Sequence, residues 1–246
     1  MASLGGKVVF VTGAARRVGA AIARCLHADG ASLVIHYHHS EREAIALKDD
    51  LERARPDSAR LVSGALSAKT AKRIVSEVID AFGRLDALVN NASGFYPTPV
   101  LQVTETEWDD LTNSNLKAPF FLAQAAAPEL RARGGAIVNL VDIHADRPLK
   151  NYPVYSIAKA GLAMMTRVLA RELAPEVRVN GVAPGTILWP EHPMDDTIKQ
   201  QILARIPQRR EGCPEDLAHA VRFFLRDAPY VSGQILAVDG GRSVVL

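Results

Sequence analysis

The stretch KVVFVTGAARRVGAAIARCLHADGASLVIHYHHSER, residues 7–42, decides the fold. A short β-branched apolar run (7–13) enters a glycine-bearing turn, apolar residues then return at helical spacing (18–30), and a second β-rich run follows (32–37). Strand, crossover helix and strand make a βαβ unit, whose two strands lie parallel and whose crossover is right-handed. VVFV (8–11) and LVI (33–35) are apolar throughout rather than alternating, as strands covered on both faces are.

The same rhythm continues outward. ARLVSGA (59–65), ALVNNA (87–92), AIVNLVD (136–142), VRVNGVAPG (177–185) and ILAVDGG (235–241) read as further strands, and helix-period segments fill 41–54, 70–83 and 154–174. The expectation is an α/β fold: a single Rossmann-type doubly wound domain over residues 1–246, with a parallel sheet of about seven strands. No internal repeat, low-complexity tract or linker breaks the series. One stretch departs from the rhythm. Residues 186–215, with Trp189 and prolines at 190, 193, 207 and 214, are too long for an ordinary connection and read as a substrate-covering loop. Selectivity would then be set around Leu188, Trp189, His192 and Met194.

Composition narrows the function classes. With 48% hydrophobic and 23% charged residues, the 246-residue chain has the balance of a globular protein with a real core. A net charge of +2, dispersed along the chain, calls for neither nucleic acid nor membrane as a partner. Cys25 and Cys213 stand in no metal-like or disulfide-framework spacing. The N-terminal apolar run lacks a cleavage-like spacer, and no run approaches the ~18 residues of a span, so the expected location is cytoplasmic.

Two ends of the strand series carry candidate chemistry. In TGAARRVG, the small residues Gly13, Ala14 and Ala15 let backbone approach a pyrophosphate at a helix N-terminus. A glycine-tightened turn without ligand is the alternative. The second strand ends in HYHHSER, without the acidic residue that holds a ribose 2′-hydroxyl. His38, His39, Ser40 and Arg42, with Arg17 from the turn, supply donors suited to a 2′-phosphate, which makes the expected cofactor NADP(H). His36 and His38 share a strand face and are open to a metal reading, but no third ligand of suitable type lies nearby in sequence, so no metal is expected. At the other end, PVYSIAKAGL places Tyr155 and Lys159 one helical turn apart on one face. A cation there is expected to lower the tyrosine pKa and ready it for proton exchange with a group being reduced. Asp142 ends the strand before this helix, NNAS (90–93) closes the fourth strand, and Asn115 lies on a helix between them.

In this order of motifs the chain resembles the short-chain dehydrogenase/reductases along its whole length, from the glycine turn through Asn90, Asn91, Ala92, Asn115, Tyr155, Lys159, Pro184 and Gly185 to the closing SGQILAVDGG. The resemblance implies hydride transfer from a nicotinamide, with Tyr155 as proton donor, Lys159 on the ribose hydroxyls, and Asn115 supporting a water relay. It also implies cofactor contacts from Gly13, Val18, Leu66, Asn91, Ala92, Ser93, Pro184 and Gly185, and a homotetramer. Two departures from the general pattern are similar to pteridine reductases: Arg17 replaces the middle glycine of the turn, and Asp142 replaces the catalytic serine. HYHHSE and NNASGFYPTPV are similar to that subfamily too, which implies that Phe95 sandwiches a pterin against the nicotinamide and that Ser93 binds cofactor or pterin. Ala65 stands where the subfamily often carries an aspartate on the adenine, leaving that contact to backbone and Leu66. A carboxyl group suits a ring presenting N–H donors and a C=N bond to be protonated, whereas a serine suits a carbonyl. The substrate-side candidates are Arg17, Ser93, Phe95, Asp142, Tyr155, Leu188 and Trp189. Their bland counterparts are core packing for Phe95 or Tyr96 and a turn or N-cap for Asp142. The leading reading is NADPH-dependent reduction of a pterin, dihydropterin or dihydrofolate. A carbonyl reductase acting on a 3-oxoacyl thioester comes second, and a non-catalytic NADP(H)-binding regulator third.

Overall fold

A computed structural model describes residues 3–189 and 195–245. The strands are β1 (Val8–Val11), β2 (Ser32–Tyr37), β3 (Ala59–Ser63), β4 (Ala87–Asn90), β5 (Ala136–Leu140), β6 (Arg178–Pro184) and β7 (Ile235–Val238). They form one parallel sheet in the order β3-β2-β1-β4-β5-β6-β7. β1, β6 and β7 stop short of the glycines that close their runs (Gly13, Gly185 and Gly240), which leave the ladder for the loops at the carboxyl ends of the strands.

Helices cover both faces of the sheet. They are α1 (Arg17–Ala28), α2 (Glu41–Ala54), α3 (Ala71–Phe82), α4 (Glu105–Thr112), α5 (Ala118–Arg133), α6 (Pro153–Glu172), α7 (Asp196–Ala204), α8 (Pro214–Arg222) and α9 (Arg242–Val245). One core holds Ile22 and Leu26 of α1, Leu47 and Leu51 of α2 and Leu217 and Val221 of α8 against Val9, Val11, Leu33 and Ile35. The other holds Ile74 and Val78 of α3, Leu122 and Leu130 of α5 and Leu162 and Leu169 of α6 against Val8, Phe10, Leu88 and Ile137. Alternate residues of one strand feed opposite cores, which is why the central strands read as unbroken apolar runs. No helix among the described residues is long and apolar enough to cross a membrane.

The segment 186–215 is not irregular throughout. It contains α7, which Asp195 caps by accepting a hydrogen bond from Thr197 N at 2.7 Å, and Pro214 already opens α8. Four prolines mask these helices in the sequence, although one of them sits at a first helical position, where proline is tolerated. Strand order reverses between β1 and β4, and the crevice at the carboxyl ends of such strands is where an open α/β sheet takes its ligand.

Candidate active site

At the mouth of the crevice, Gly13 adopts φ +59°, and a Cβ there would lie 3.0 Å from the Cα of Ala92, so this left-handed turn excludes other residues. A Cβ at Gly19 would overlap the Gly13 carbonyl oxygen and come within 2.7 Å of Asn91 Nδ2. Helix α1 therefore packs its first turn directly on the loop. Its N-cap, Arg16, makes no side-chain cap, and its first turn carries no acid, which suits a phosphate-bearing cofactor at this helix N-terminus. Arg17 itself takes φ +53° and sends Nη2 to the carbonyl oxygen of Trp189 at 3.3 Å, so it faces the base of the 186–215 segment.

Thr12, missed from sequence, holds this turn together with Asn91. Thr12 Oγ1 accepts from Asn91 N at 2.9 Å and Ala92 N at 3.0 Å, while Asn91 Nδ2 donates to Thr12 O and Gly13 O, clamping β1 to β4 across the switch point. Beneath them lies His36, buried, with Nδ1 accepting from Gly13 N at 3.2 Å and Nε2 meeting Gly64 O at 2.9 Å. Since Gly13 N–H can only donate, Nδ1 carries no proton and Nε2–H donates to Gly64. Burial holds the ring pKa at about 4, below the ordinary 6.5. Both ring nitrogens are committed, so His36 is a structural brace rather than a metal ligand. His38 and His39 stand at the β2 tip with ring centroids 3.6 Å apart, beside Ser40 at the start of α2. Leu66 O accepts from Asn113 Nδ2 at 3.0 Å, and Gly185, after Pro184 of β6, packs so that a Cβ would lie 2.6 Å from Asp239 Cβ.

Asn115 sits in a π-helical turn, Asn113–Lys117, between α4 and α5. It is fully buried, donates Nδ2 to Leu111 O (3.0 Å) and Gly94 O (2.9 Å), and accepts from Ser93 Oγ at 2.6 Å. The widened turn frees the Leu111 carbonyl, and the asparagine amide takes it up. Asn115 thereby fixes the loop that carries Ser93 and Phe95.

Asp142 follows β5 and uses both oxygens. Oδ1 accepts from His144 N at 2.8 Å, capping the 3-10 turn Ile143–Ala145, while Oδ2 accepts from Tyr155 Oη at 2.7 Å. The N-cap role and the role at the site coexist in one carboxylate. Lys159, buried, donates Nζ to Leu140 O at 2.8 Å and lies 5.6 Å from the centroid of the Tyr155 ring. Burial brings its pKa down to about 8, with Asp142 opposing. Tyr155 contradicts the expectation of a lowered pKa. Burial first, then the charge and hydrogen bond of Asp142, raise it well above the usual phenol value, with only Ser93 opposing. The phenol is therefore held protonated, the state of a proton donor.

Phe95 is 51% exposed, stacked on Tyr152 (centroids 4.6 Å, planes at 14°) and edge-on to Tyr155 (4.8 Å, 77°). It is not a core aromatic. Tyr152, three residues before Tyr155, went unnoticed in the sequence, although that spacing puts the two side by side at the start of α6. Tyr96 turns away, with its hydroxyl on Asp110 at 2.8 Å. Leu188 and Trp189 stand at the base of the 186–215 segment, and His192 and Met194 lie outside the described residues. The structure thus gathers Asp142, Tyr155, Lys159, Ser93, Asn115 and Phe95 into one cluster.

A glycine turn at a strand-order reversal and a Tyr-Lys pair on the helix after β5 define a dinucleotide-dependent oxidoreductase. The family model described as enoyl-(acyl carrier protein) reductase matches residues 13–243, and the chain belongs to the short-chain dehydrogenase/reductase family. It is 36% identical to the 3-oxoacyl-[acyl-carrier-protein] reductase FabG of Staphylococcus aureus (strain Mu50), over 96% of this chain and 97% of that one. Pteridine reductase 1 of Leishmania tarentolae is also 36% identical, over 96% of each chain. An uncharacterised oxidoreductase of Methylorubrum extorquens is 34% identical over 98% of this chain and 99% of its own. Overall similarity does not separate the two named activities, so the distinction falls to the site.

Proposed function

We propose that the protein reduces a pterin or dihydropterin, dihydrofolate and dihydromonapterin included, with NADPH. The observation that carries this reading is the Asp142 carboxylate hydrogen-bonded to the Tyr155 hydroxyl at 2.7 Å, beside the open ring of Phe95. A carboxylate accepts from the paired N–H donors of an aminopyrimidine edge, and a flat ring wants a flat platform. Tyr152 backs one face of Phe95 and leaves the other for a substrate.

A nicotinamide cofactor held over the Gly13 turn and Lys159 would supply the hydride. Tyr155, kept as phenol, releases its proton toward the ring nitrogen of the C=N bond while Asp142 holds the ring edge. Lys159, its pKa brought to about 8 by burial, balances the negative charge left on the phenolic oxygen, which regains its proton from solvent. Asn115 and Ser93 keep the facing loop in place. The β2 tip, with His38, His39 and Ser40 and no carboxylate, supports a preference for NADPH over NADH. A homotetramer has a surface to use in the largely apolar groove along α5 and α6, where Phe120, Phe121, Met164, Met165 and Val168 lie beside Lys117.

The second reading, reduction of a 3-oxoacyl thioester, is favoured by the equal similarity to FabG. NADPH oxidation with dihydrobiopterin, dihydrofolate, dihydromonapterin and a 3-oxoacyl ester in parallel tests both. Asp142→Ser sharpens the comparison: dihydropterin reduction is expected to vanish with NADPH still bound, while activity on a ketone survives or rises. Unchanged kcat/KM for dihydropterin in that variant would remove the pterin reading.

A further inference from the structure

Helix α6 is docked on β5 through polar contacts that lie along one stripe. Tyr155, Lys159, Leu162 and Thr166 follow at i, i+4, i+7 and i+11, one face of the helix. Tyr155 meets Asp142 just beyond β5, and Lys159 meets the carbonyl of Leu140, the last residue of β5. Two turns deeper, Thr166 Oγ1 accepts from Asn139 Nδ2 at 2.9 Å. Thr166 spends its only hydroxyl proton on Leu162 O (2.8 Å), so Asn139 must present its amide nitrogen there and its oxygen to Asn90 of β4, whose Nδ2 donates at 2.8 Å. Asn90 and Asn139 are register partners across the β4–β5 ladder.

These three side chains are at most 2% exposed, against a core of apolar residues. Leucine and valine of similar shape would satisfy such a core, so stability does not require the polar chain. Direction is what it adds. Apolar packing tolerates a small slide or rotation of a helix, whereas a hydrogen bond weakens steeply outside a narrow range of distance and angle. We propose that Asn139 and Thr166 are positioning residues for the Tyr155–Lys159 pair: they fix the height and rotation of α6 on β5, so that Lys159 reaches Leu140 O and Tyr155 reaches Asp142. Thr166 acts from about 10 Å along the helix from Lys159, at ~1.5 Å per residue. This inference rests on Tyr155 and Lys159 being the catalytic pair.

The test compares Thr166→Val, nearly isosteric but without the hydroxyl, with Thr166→Ser, which keeps it. Tyr155→Phe runs alongside, using NADPH and whichever of dihydrobiopterin or a 3-oxoacyl ester the wild type reduces. The valine variant is expected to lose about tenfold to a hundredfold in kcat with little change in substrate KM, because a small misplacement of reacting groups is costly. Its pH profile of kcat should shift as well, since Lys159 changes surroundings, and serine should restore both rate and profile. A purely structural role would lower Tm and leave kcat and its pH profile alone. If the valine variant fails to fold, Thr166→Ala is read in the same way. Wild-type kcat in a folded variant lacking the hydroxyl, or failure of serine to rescue, overturns the inference. Wild-type turnover by Tyr155→Phe overturns instead the catalytic-pair reading beneath it.

Discussion

Acidification will weaken this fold through His36 before the carboxylates take part. The ring has a pKa of about 4 in the folded protein against 6.5 when unfolded, because it is buried and its Nδ1 is the acceptor for Gly13 N–H. Between those values the unfolded chain binds a proton that the folded chain refuses, so stability falls as pH falls. The contribution of the neutral ring is complete above 6.5 and is lost as pH drops through about 4. At about pH 5 the unfolded histidine lies 1.5 pH units into its titration, which at ~1.36 kcal/mol per unit gives a loss of about 2 kcal/mol relative to about pH 7.5. The full window from 6.5 to about 4 amounts to about 3 kcal/mol. His36→Asn provides the control, since its amide oxygen can accept from Gly13 and does not titrate. Urea unfolding followed by far-UV circular dichroism, at about pH 7.5 and about pH 5, should show the variant less stable at the higher pH but losing about 2 kcal/mol less on acidification. His27, whose pKa is also lowered, titrates in both proteins and cancels from the difference. Equal acid losses in wild type and variant would refute the assignment of His36 as a neutral brace. Since that brace carries the Gly13 turn and the folded ring stays neutral down to about pH 4, NADPH affinity measured by fluorescence titration should hold between about pH 7.5 and about pH 5 and decline only as the pH approaches 4.

Tyr155→Phe should lower kcat by about 10² to 10⁴ while fluorescence titration finds NADPH binding nearly intact, because only the proton donor is removed. Phe95→Ala should raise KM for dihydrobiopterin by an amount corresponding to about 1 to 3 kcal/mol of lost stacking, and should affect an aliphatic 3-oxoacyl ester far less; equal effects on both would argue against a platform. Gly19→Ala should cost about 1 to 3 kcal/mol in denaturant unfolding and abolish cofactor binding, since the added Cβ overlaps the Gly13 carbonyl. NADPH should bind about tenfold to a hundredfold more tightly than NADH, as one charge-assisted phosphate contact warrants, and equal dissociation constants would contradict the reading of the β2 tip.

Much of this molecule was legible along the chain. The runs VVFV, SLVI, ALVN and AIVNL announced strands buried on both faces, and the helix periods between them required a parallel, doubly wound sheet. Tyr155 and Lys159 declared themselves by a four-residue spacing, and Asp142 and Arg17 by departing from a family pattern. These are local features, decided by periodicity and by neighbours within a turn or two. Helix α7 was hidden because its flanking prolines outweighed a short and weakly amphipathic segment. The proton state of Tyr155 had to wait for the fold. Its lysine neighbour in sequence argued for an acidic phenol, but burial and Asp142, thirteen residues upstream and 2.7 Å away, outweigh that and hold the proton on. His36 became a brace only when Gly13 and Gly64 closed on its two ring nitrogens, Phe95 an exposed stacked ring only when Tyr152 lay beneath it, and Asn139 a rung only when Thr166, 27 residues on, came within 2.9 Å. Backbone periodicity is written in consecutive residues, so sequence alone determined the fold class. Desolvation and hydrogen bonding sum over whatever is close in space, so only the tertiary structure decided which groups hold a proton and which way they face.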